Sequence, residues 1–462
     1  MVNYLKAGDM TQHKQHSLLN RSAEACNMLK KHIDEGHVIR VISHNDADGL
    51  SAAGVITNAI KEEGGQFHVT IVSRLQMDVI NDLKKENYEL FVFCDMGSAC
   101  LKPLNSFKAD IIIADHHQPA DVETGDNIVH VNPHLFGVDG SRELSGAGST
   151  YLCIRDLDKK HLAYLALVGA FGDMQGEDGF MGMNKLILQD AIESGTVEIH
   201  EGLKIASKST EAVYKSLAYT FKPALPGLTG DLEGSQQFLE QLGLSYGIKF
   251  TDLSGEEQDL LKDALIQINP KILSEVYTAP KEISYLQDLE DFSDILDACG
   301  KNKKYGLGLS LALGERGEAL DTALKLRNNY RSQLIKGMEW VKKEGAVQLN
   351  TIQYLYSEDQ IIKKVMGTIA SVGLTVGLLD ENKPVLGLSR LHKDIKVSGR
   401  TLRPMIERGV NLGKALNECS SNFGGQGGGH DIAAGAMIPY GAKDEFLHLV
   451  DQAIAYQLEN NS

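Results

Sequence analysis

Between residues 37 and 175, short apolar runs (HVIRVISH, HVTIVSR, LFVFCD, DIIIAD, NIVHVN) alternate with segments of helical periodicity, among them LSAAGVITNAIKEEG (50–64) and QMDVINDLKKEN (76–87). Strands separated by helices need crossover connections, and a chain built that way folds as a doubly wound, mostly parallel α/β sheet. Functional groups then collect beyond the carboxyl ends of the strands. The rest of the chain reads differently. From 186 to about 300 the pattern is helical, with VEIHEGLKIAS and GEEQDLLKDALIQI as helix candidates and few strand signals. A long helical pattern runs from about 310 to 345. The last third returns to mixed α/β, with VQLNTIQYLYS, KPVLGLSRL and IKVSGRTL as strands and IIKKVMGTIASVGLTVG as a helix. These shifts divide the chain into an α/β domain (1–185), a helical insertion (186–305), a connecting helix (306–345) and a smaller C-terminal α/β domain (346–462).

A length of 462 residues fits more than one hydrophobic core. No apolar run approaches the ~20 residues of a membrane span, and MVNYLKAGDMTQHKQHSLL lacks the apolar stretch of a secretory leader, so the expected setting is cytoplasmic, without a membrane. Six cysteines without a C-x-x-C pair argue for reduced thiols rather than a disulfide framework or structural zinc. The formal charge of −16 means that any surface for nucleic acid is local.

The ends of the apolar runs carry the chemistry. SHNDADG offers His44, Asp46 and Asp48, LFVFCD ends in Asp95, DIIIAD ends in Asp115 followed by His116 and His117, and LALVGAFGD, read as a fourth strand end, delivers Asp173. One such Asp is commonly just the N-cap of the next helix. Four strand ends that all offer a ligand point instead to a shared site, where Asp46, Asp48, Asp95 and Asp173 meet His44 and His116. Carboxylates gathered there repel one another, and two divalent cations would cancel their charge. Oxygen-rich ligation with one or two imidazoles favours Mn2+ or Mg2+ over a thiolate-loving metal, with Zn2+ and Fe2+ left open, and a pair of such ions suits hydrolysis of a phosphate ester.

The set SHNDADG, VFCD, ADHHQP and GAFGD, in that order, resembles the DHH phosphoesterase superfamily, and GGQGGGHDIAAGA looks like the glycine-rich signature of its accompanying DHHA1-type substrate-binding domain. The resemblance implies one metal held by His44, Asp46 and Asp95 and another by Asp48, Asp95, His116 and Asp173. It also implies catalytic positions at His117, near the scissile phosphate, and Asp115, orienting a histidine from behind. No position in the four motifs is degenerate, which argues against an inactive scaffold.

Between Lys383 and Lys414 there are eight Lys or Arg against Asp394 and Glu407, a basic run on an acidic chain. If IKVSGRTL is a strand, Lys396, Ser398 and Arg400 share one face. With Arg390, Gly428, Gly429 and His430 they make a candidate surface for a phosphate backbone. The glycine-rich start SGAGST (145–150) is a weaker candidate for a phosphate-binding helix N-terminus. Within the superfamily the chain looks most like the archaeal RecJ-like nucleases, including the GINS-associated type. That resemblance implies a Mn2+-dependent exonuclease acting on single-stranded DNA or RNA from the 5′ end in replication or repair. Two alternatives stand beside it: a phosphodiesterase or phosphatase for short oligonucleotides or cyclic dinucleotides, and an interaction module that binds GINS or other replication proteins through acidic residues such as Glu290, Asp291 and Asp294.

Overall fold

A 33-residue helix, α1 (Val2–Asp34), leads into the first strand of the computed structural model, which describes residues 2–358 and 365–460. The chain continues through β1 (Val38–His44), α2 (Ala47–Glu62), β2 (Gln66–Val72), α3 (Met77–Leu83), β3 (Leu90–Cys94), α4 (Leu101–Leu104), β4 (Asp110–Ala114) and β5 (Ile128–Val131). The five strands form a parallel sheet in the order β2-β1-β3-β4-β5, as the alternation requires. Both faces are apolar because both are covered. Val41, Val92 and Ile112 face a core shared with Leu50 and Val55 of α2, while Ile42, Phe91, Phe93, Ile111 and Ile113 face a second core with Ile80, Leu101 and Leu104. Each such side chain contributes roughly 1.5–3 kcal/mol when fully buried.

The strand order reverses direction at β1. The chain steps from β1 outward to β2 and then returns to the other side for β3, so the carboxyl ends of β1 and β3 flank a crevice at the switch point. Three further helices, α5 (Gly146–Leu152), α6 (Ala163–Gly172) and α7 (Gly182–Glu193), complete this side. LALVGAFGD is thus the buried helix α6 rather than a strand end, with Asp173 as its C-cap. An apolar run buried all round has no periodicity to separate the two readings.

VEIHEGLKIAS also departs from expectation: it forms β6 (Glu198–Leu203), paired with β7 (Leu273–Thr278). Its apolar residues at 197, 199, 203 and 205 are spaced by even steps, the period of a strand. Between the two strands α8 (Val213–Tyr219), α9 (Leu232–Gln241) and α10 (Gly255–Ile268) surround Leu217, Leu239, Leu261 and Leu265.

The region expected as one insertion, 186–305, divides. Residues 1–201 and 275–327 make one unit, and residues 202–274 and 328–462 the other. α11 (Leu289–Lys301) and α12 (Tyr305–Ala312) belong to the first. Leu289, Phe292, Ile295, Leu296 and Cys299 of α11, spaced as one helical stripe, enter the core shared by β1 and α2. Its acidic stretch is largely internal business. Asp288 caps α11 by accepting from the Glu290 and Asp291 amides, and Asp291 lies 3.9 Å from the buried Arg327, leaving Asp294 as the exposed carboxylate of the three expected on a partner surface.

After α13 (Glu318–Glu344) come β8 (Val347–Gln348), β9 (Gln353–Tyr356), α14 (Met366–Thr375), β10 (Val385–Leu391), β11 (Asp394–Arg400), α15 (Arg403–Glu407), α16 (Leu412–Ser421), β12 (Gln426–Gly429), β13 (Ala433–Pro439) and α17 (Lys443–Asn460). The start of the helix expected at IIKKVMGTIASVGLTVG lies outside the described residues, and the remainder is α14. The mixed six-stranded sheet runs β12-β13-β11-β10-β9-β8, with α14 on one face and α16 on the other.

Candidate metal centre

His44 closes β1, and the chain turns at once into α2. Asp46 is the N-cap of that helix, its side chain accepting from the Gly49 N–H at 3.0 Å. Asp46 also lies 2.7 Å from His44 Nδ1. Asp95 follows β3 with φ +56, a left-handed conformation uncommon for a residue with a side chain and concentrated at functional sites. It is 2 % exposed. One carboxylate oxygen stands 3.3 Å from His44 Nδ1, and the other 3.3 Å from His116 Nε2. His116 Nε2 also lies 2.9 Å from Asp173 and 3.9 Å from Asp48.

Two groups of donor atoms result, each within 4.8 Å: His44, Asp46 and Asp95, and Asp48, His116 and Asp173; a third, Asp95, His116 and His117, overlaps both. Asp95 lies between them. Although these atoms crowd together, His44 Nδ1 and both Asp95 oxygens are buried and make no hydrogen bond. Buried carboxylate oxygens are rarely left so, and the lone pairs of Asp95, facing the neighbouring carboxylates, fit a cation. The His116 ring supports this. Its Nδ1–H donates to the Gly140 carbonyl at 2.7 Å, which leaves the Nε2 lone pair facing the carboxylates.

The charges tell the same story. Burial, then the nearby Asp173 and Asp95, push the Asp48 carboxyl well above its usual range, and burial with Asp46 raises that of Asp95. For His44, burial opposes the charged form, but the Asp46 and Asp95 carboxylates outweigh it and push the imidazole up to about 11. A ligating imidazole must be neutral, so cation binding has to expel protons. Mn2+ affinity is therefore expected to rise with pH, by up to about tenfold per pH unit for each proton displaced. Calorimetry near neutral pH in two buffers of different protonation enthalpy should show net proton release; zero release would contradict this electrostatic picture.

SGAGST does bind an anion through its helix start, but the anion is Asp48. The Gly146 and Ala147 amides donate to its two oxygens at 2.6 and 3.0 Å. Gly146 is indispensable for a second reason, because a Cβ there would stand 2.4 Å from Asp95 Oδ1. Gly146→Ala is expected to weaken Mn2+ binding by roughly 10–100-fold, the usual cost of disturbing the support of metal ligands, without unfolding the chain. Metal titration with thermal melting checks it; unchanged affinity would show that the Asp95 position is not critical.

Asp115 is buried and holds neighbours rather than facing the crevice. It accepts from the backbone amides of Ser98, His116 and His117 and from His117 Nδ1 at 2.8 Å. Burial works against its charge, yet these donors keep its carboxyl well below the usual range. His117 is 55 % exposed and, with Nδ1 fixed, presents Nε2 outward. Behind it Asn132 donates to the His117 carbonyl and to Ser98 Oγ, both at 2.8 Å, and Ser98 Oγ meets the buried His130. Gly140, Ser98 and Asn132 gave no local signal of these roles, since each meets its partner across a long stretch of chain, and SGAGST signalled an anion at Gly146 without saying which.

In the second unit Ser398 and Arg400 lie together with Lys396 on the less buried face of β11. Register places Gly435 and Gly428 beside Ser398, a row without side chains. Gly429, at φ +137, has no room for a Cβ, which would meet Ala434 at 2.7 Å. His430 follows on the exposed rim. The Arg400 guanidinium stands beside the first turn of α14, where a Cβ on Gly367 would come within 3.0 Å of it. Burial lowers its pKa, and among the described residues it has no carboxylate partner in ion-pair range. Arg390 does not join this group. It pairs with Ile395, which faces the opposite side of the sheet, and stacks on Tyr440 at 4.3 Å. Residue counting within one strand cannot reveal that parity across a hairpin.

The family models for the DHH family N-terminal domain, the DHH-CID domain and the DHHA1 domain match residues 38–170, 205–276 and 350–456. The chain is 35% identical to the uncharacterized protein MJ0831 of Methanocaldococcus jannaschii over 91% of its own length and 94% of that protein's. It is 26% identical to the single-stranded-DNA-specific exonuclease RecJ of Thermus thermophilus, over 44% of this chain and 32% of RecJ. The crystal structure of that RecJ in complex with Mn2+ superposes with a TM-score of 0.60 at 17% identity, covering 94% of this chain and 55% of RecJ. CDC45 from Entamoeba histolytica gives 0.70 at 11% identity over 95% and 99% of the two chains. No described helix is long and apolar enough to cross a membrane. With all three domains in family order and a whole-length relative, the chain belongs to the DHH family as a RecJ-like member.

Proposed function

We propose that the protein is a two-metal-dependent exonuclease that hydrolyses phosphodiester bonds in single-stranded DNA or RNA. The observation that carries this reading is the pair of donor clusters with Asp95 between them. In it His44, Asp46 and Asp95 would hold one divalent cation, Mn2+ in preference to Mg2+, and Asp48, Asp95, His116 and Asp173 would hold the second. Such cations, when bound, supply the charge that acidifies a water and offsets negative charge on phosphate oxygens.

The chain's own groups do the rest. Asp115 fixes His117 so that Nε2 points into the opening, and this hydrogen bond raises the His117 pKa, favouring a protonated donor toward a phosphate or a leaving oxygen. The start of α5 keeps Asp48 in place through the Gly146 and Ala147 amides. On the second unit, Arg400 and Ser398, with the bare row at Gly428 and Gly435 and the amides near Gly429 and His430, form a surface suited to a phosphate. Association with replication proteins such as GINS is the partner side of this reading, supported by a fold shared with CDC45. A cytoplasmic setting is supported by six unpaired cysteines.

The test is an incubation with Mn2+ and single strands of DNA and RNA of graded length, labelled at one end or the other. Stepwise release of mononucleotides from long strands supports the exonuclease, and the label shows whether digestion proceeds from the 5′ end, as the resemblance implies. Arrest beyond a few nucleotides would transfer the same site to a small-substrate phosphodiesterase, and no hydrolysis at any length would remove the enzymatic reading.

A further inference from the structure

At the other end of β1 lies a second set of potential ligands. α1 stops at Asp34, and the chain reverses through Gly36 at φ +75. The Gly36 N–H donates to the Ile33 carbonyl at 2.9 Å and the His37 N–H to the His32 carbonyl at 3.0 Å, the paired bonds of a Schellman turn. That turn presses together the side chains at its first and last positions, a contact that is usually apolar. Here both are histidines. His32 Nδ1 stands 2.9 Å from His37 Nδ1.

The surroundings of this pair are those of a metal site. His32 is buried, and its Nε2 lies 2.9 Å from Asp110 Oδ2 at the start of β4. A carboxylate in that position accepts from Nε2–H and leaves the Nδ1 lone pair facing His37, the arrangement that orients ligating imidazoles. Glu35, in the same turn, brings a carboxylate oxygen to 3.5 Å from His37 Nδ1. Donor atoms of His32, Glu35 and His37 all fall within 4.8 Å of one another. An open cleft of about 650 Å³, lined by His37, His68, Glu86 and Tyr88, adjoins the group and leaves room for water as a further ligand. The carbonyl end of α1 adds negative potential. A hydrogen bond between two neutral imidazoles explains the short contact alone. It assigns nothing to Glu35.

We propose that His32, Glu35 and His37 bind a divalent transition-metal ion, separate from the hydrolytic centre, that clips the end of α1 to the start of β1. Two imidazole nitrogens and one carboxylate, with a position left for water, suit Zn2+ better than Mn2+ or Mg2+. The seven residues of β1 separate His37 from His44 by roughly 20 Å, so the two sites cannot share an ion.

The experiment uses full-length, tag-free, metal-stripped protein carrying Asp48→Asn and Asp95→Asn, which dismantles the hydrolytic centre. Zn2+ is titrated against a chromophoric chelator, and Co2+ is followed by its visible absorption. The expected result is uptake of one equivalent, weakened about 10–100-fold by His37→Gln or Glu35→Gln. In otherwise unaltered protein, His37→Gln should remove one equivalent of bound Zn2+ and leave Mn2+-dependent hydrolysis unchanged. Absence of uptake, or uptake indifferent to both substitutions, would reduce the cluster to a hydrogen-bonded histidine pair.

Discussion

Asp95→Asn is expected to lower Mn2+-dependent hydrolysis by roughly 10³-fold or more, about 4 kcal/mol in the barrier, while raising the melting temperature of the metal-free protein. The two effects have one cause. Asp95 sits between the two donor clusters, so its loss affects both cations. Without metal it is a buried carboxylate beside Asp46 whose oxygens make no hydrogen bond, and burial followed by that neighbour raises its pKa in the fold. A carboxyl with a raised folded pKa binds more protons folded than unfolded, so it costs stability as pH climbs above the usual carboxylate range. The neutral amide removes that cost. Activity at saturating Mn2+, with melting curves taken with and without the ion, tests both halves. Near-native activity would end the bridging assignment, and a lower metal-free melting temperature would show that the carboxylate is structural.

Arg400→Ala is expected to raise the KM for single strands by roughly 10–100-fold, about 1.5–3 kcal/mol, with kcat changed little. Arginines buried for structural reasons are paired with carboxylates, and removing one destabilises the fold. Arg400 is instead half-desolvated, bonded through Nη1 to the Gly399 carbonyl at 2.7 Å, and lacks an acidic partner among the described residues. Its removal should therefore leave melting unchanged or slightly raised. Loss of stability with unchanged KM would reassign it to packing.

That the acidic and imidazole groups gather in one place was legible in the sequence because strand geometry is local. A residue that ends a parallel strand has one place to be, and the order of motifs supplied the rest. Asp173 reaches the cluster from the C-cap of a helix and not from a strand end, because LALVGAF is as apolar as a buried strand. What sequence could not give was anything decided across the chain: the grip of Gly146 on Asp48, the Gly140 carbonyl behind His116, the face on which Arg390 emerges. The middle of the chain was misjudged for a related reason. The acidic residues of YLQDLEDFSDILDACG are conspicuous, but its apolar stripe sets where the helix goes. The His32–His37 pair escaped notice because HIDEGH acquires meaning only once the helix ends at Gly36.

The return of the chain to its first unit after residue 274 has a temporal side. Gly300 of α11 lies directly under the carbonyl of Asn45, where even a methyl group would not fit, so the loop that carries His44 and Asp46 is braced by a segment made some 250 residues later. On a ribosome adding roughly 5–20 residues per second, the nascent N-terminal region waits through the synthesis of 202–274 before its last wall arrives. During that delay of at least several seconds the loop between His44 and Asp46 lacks the helix that backs it in the finished fold.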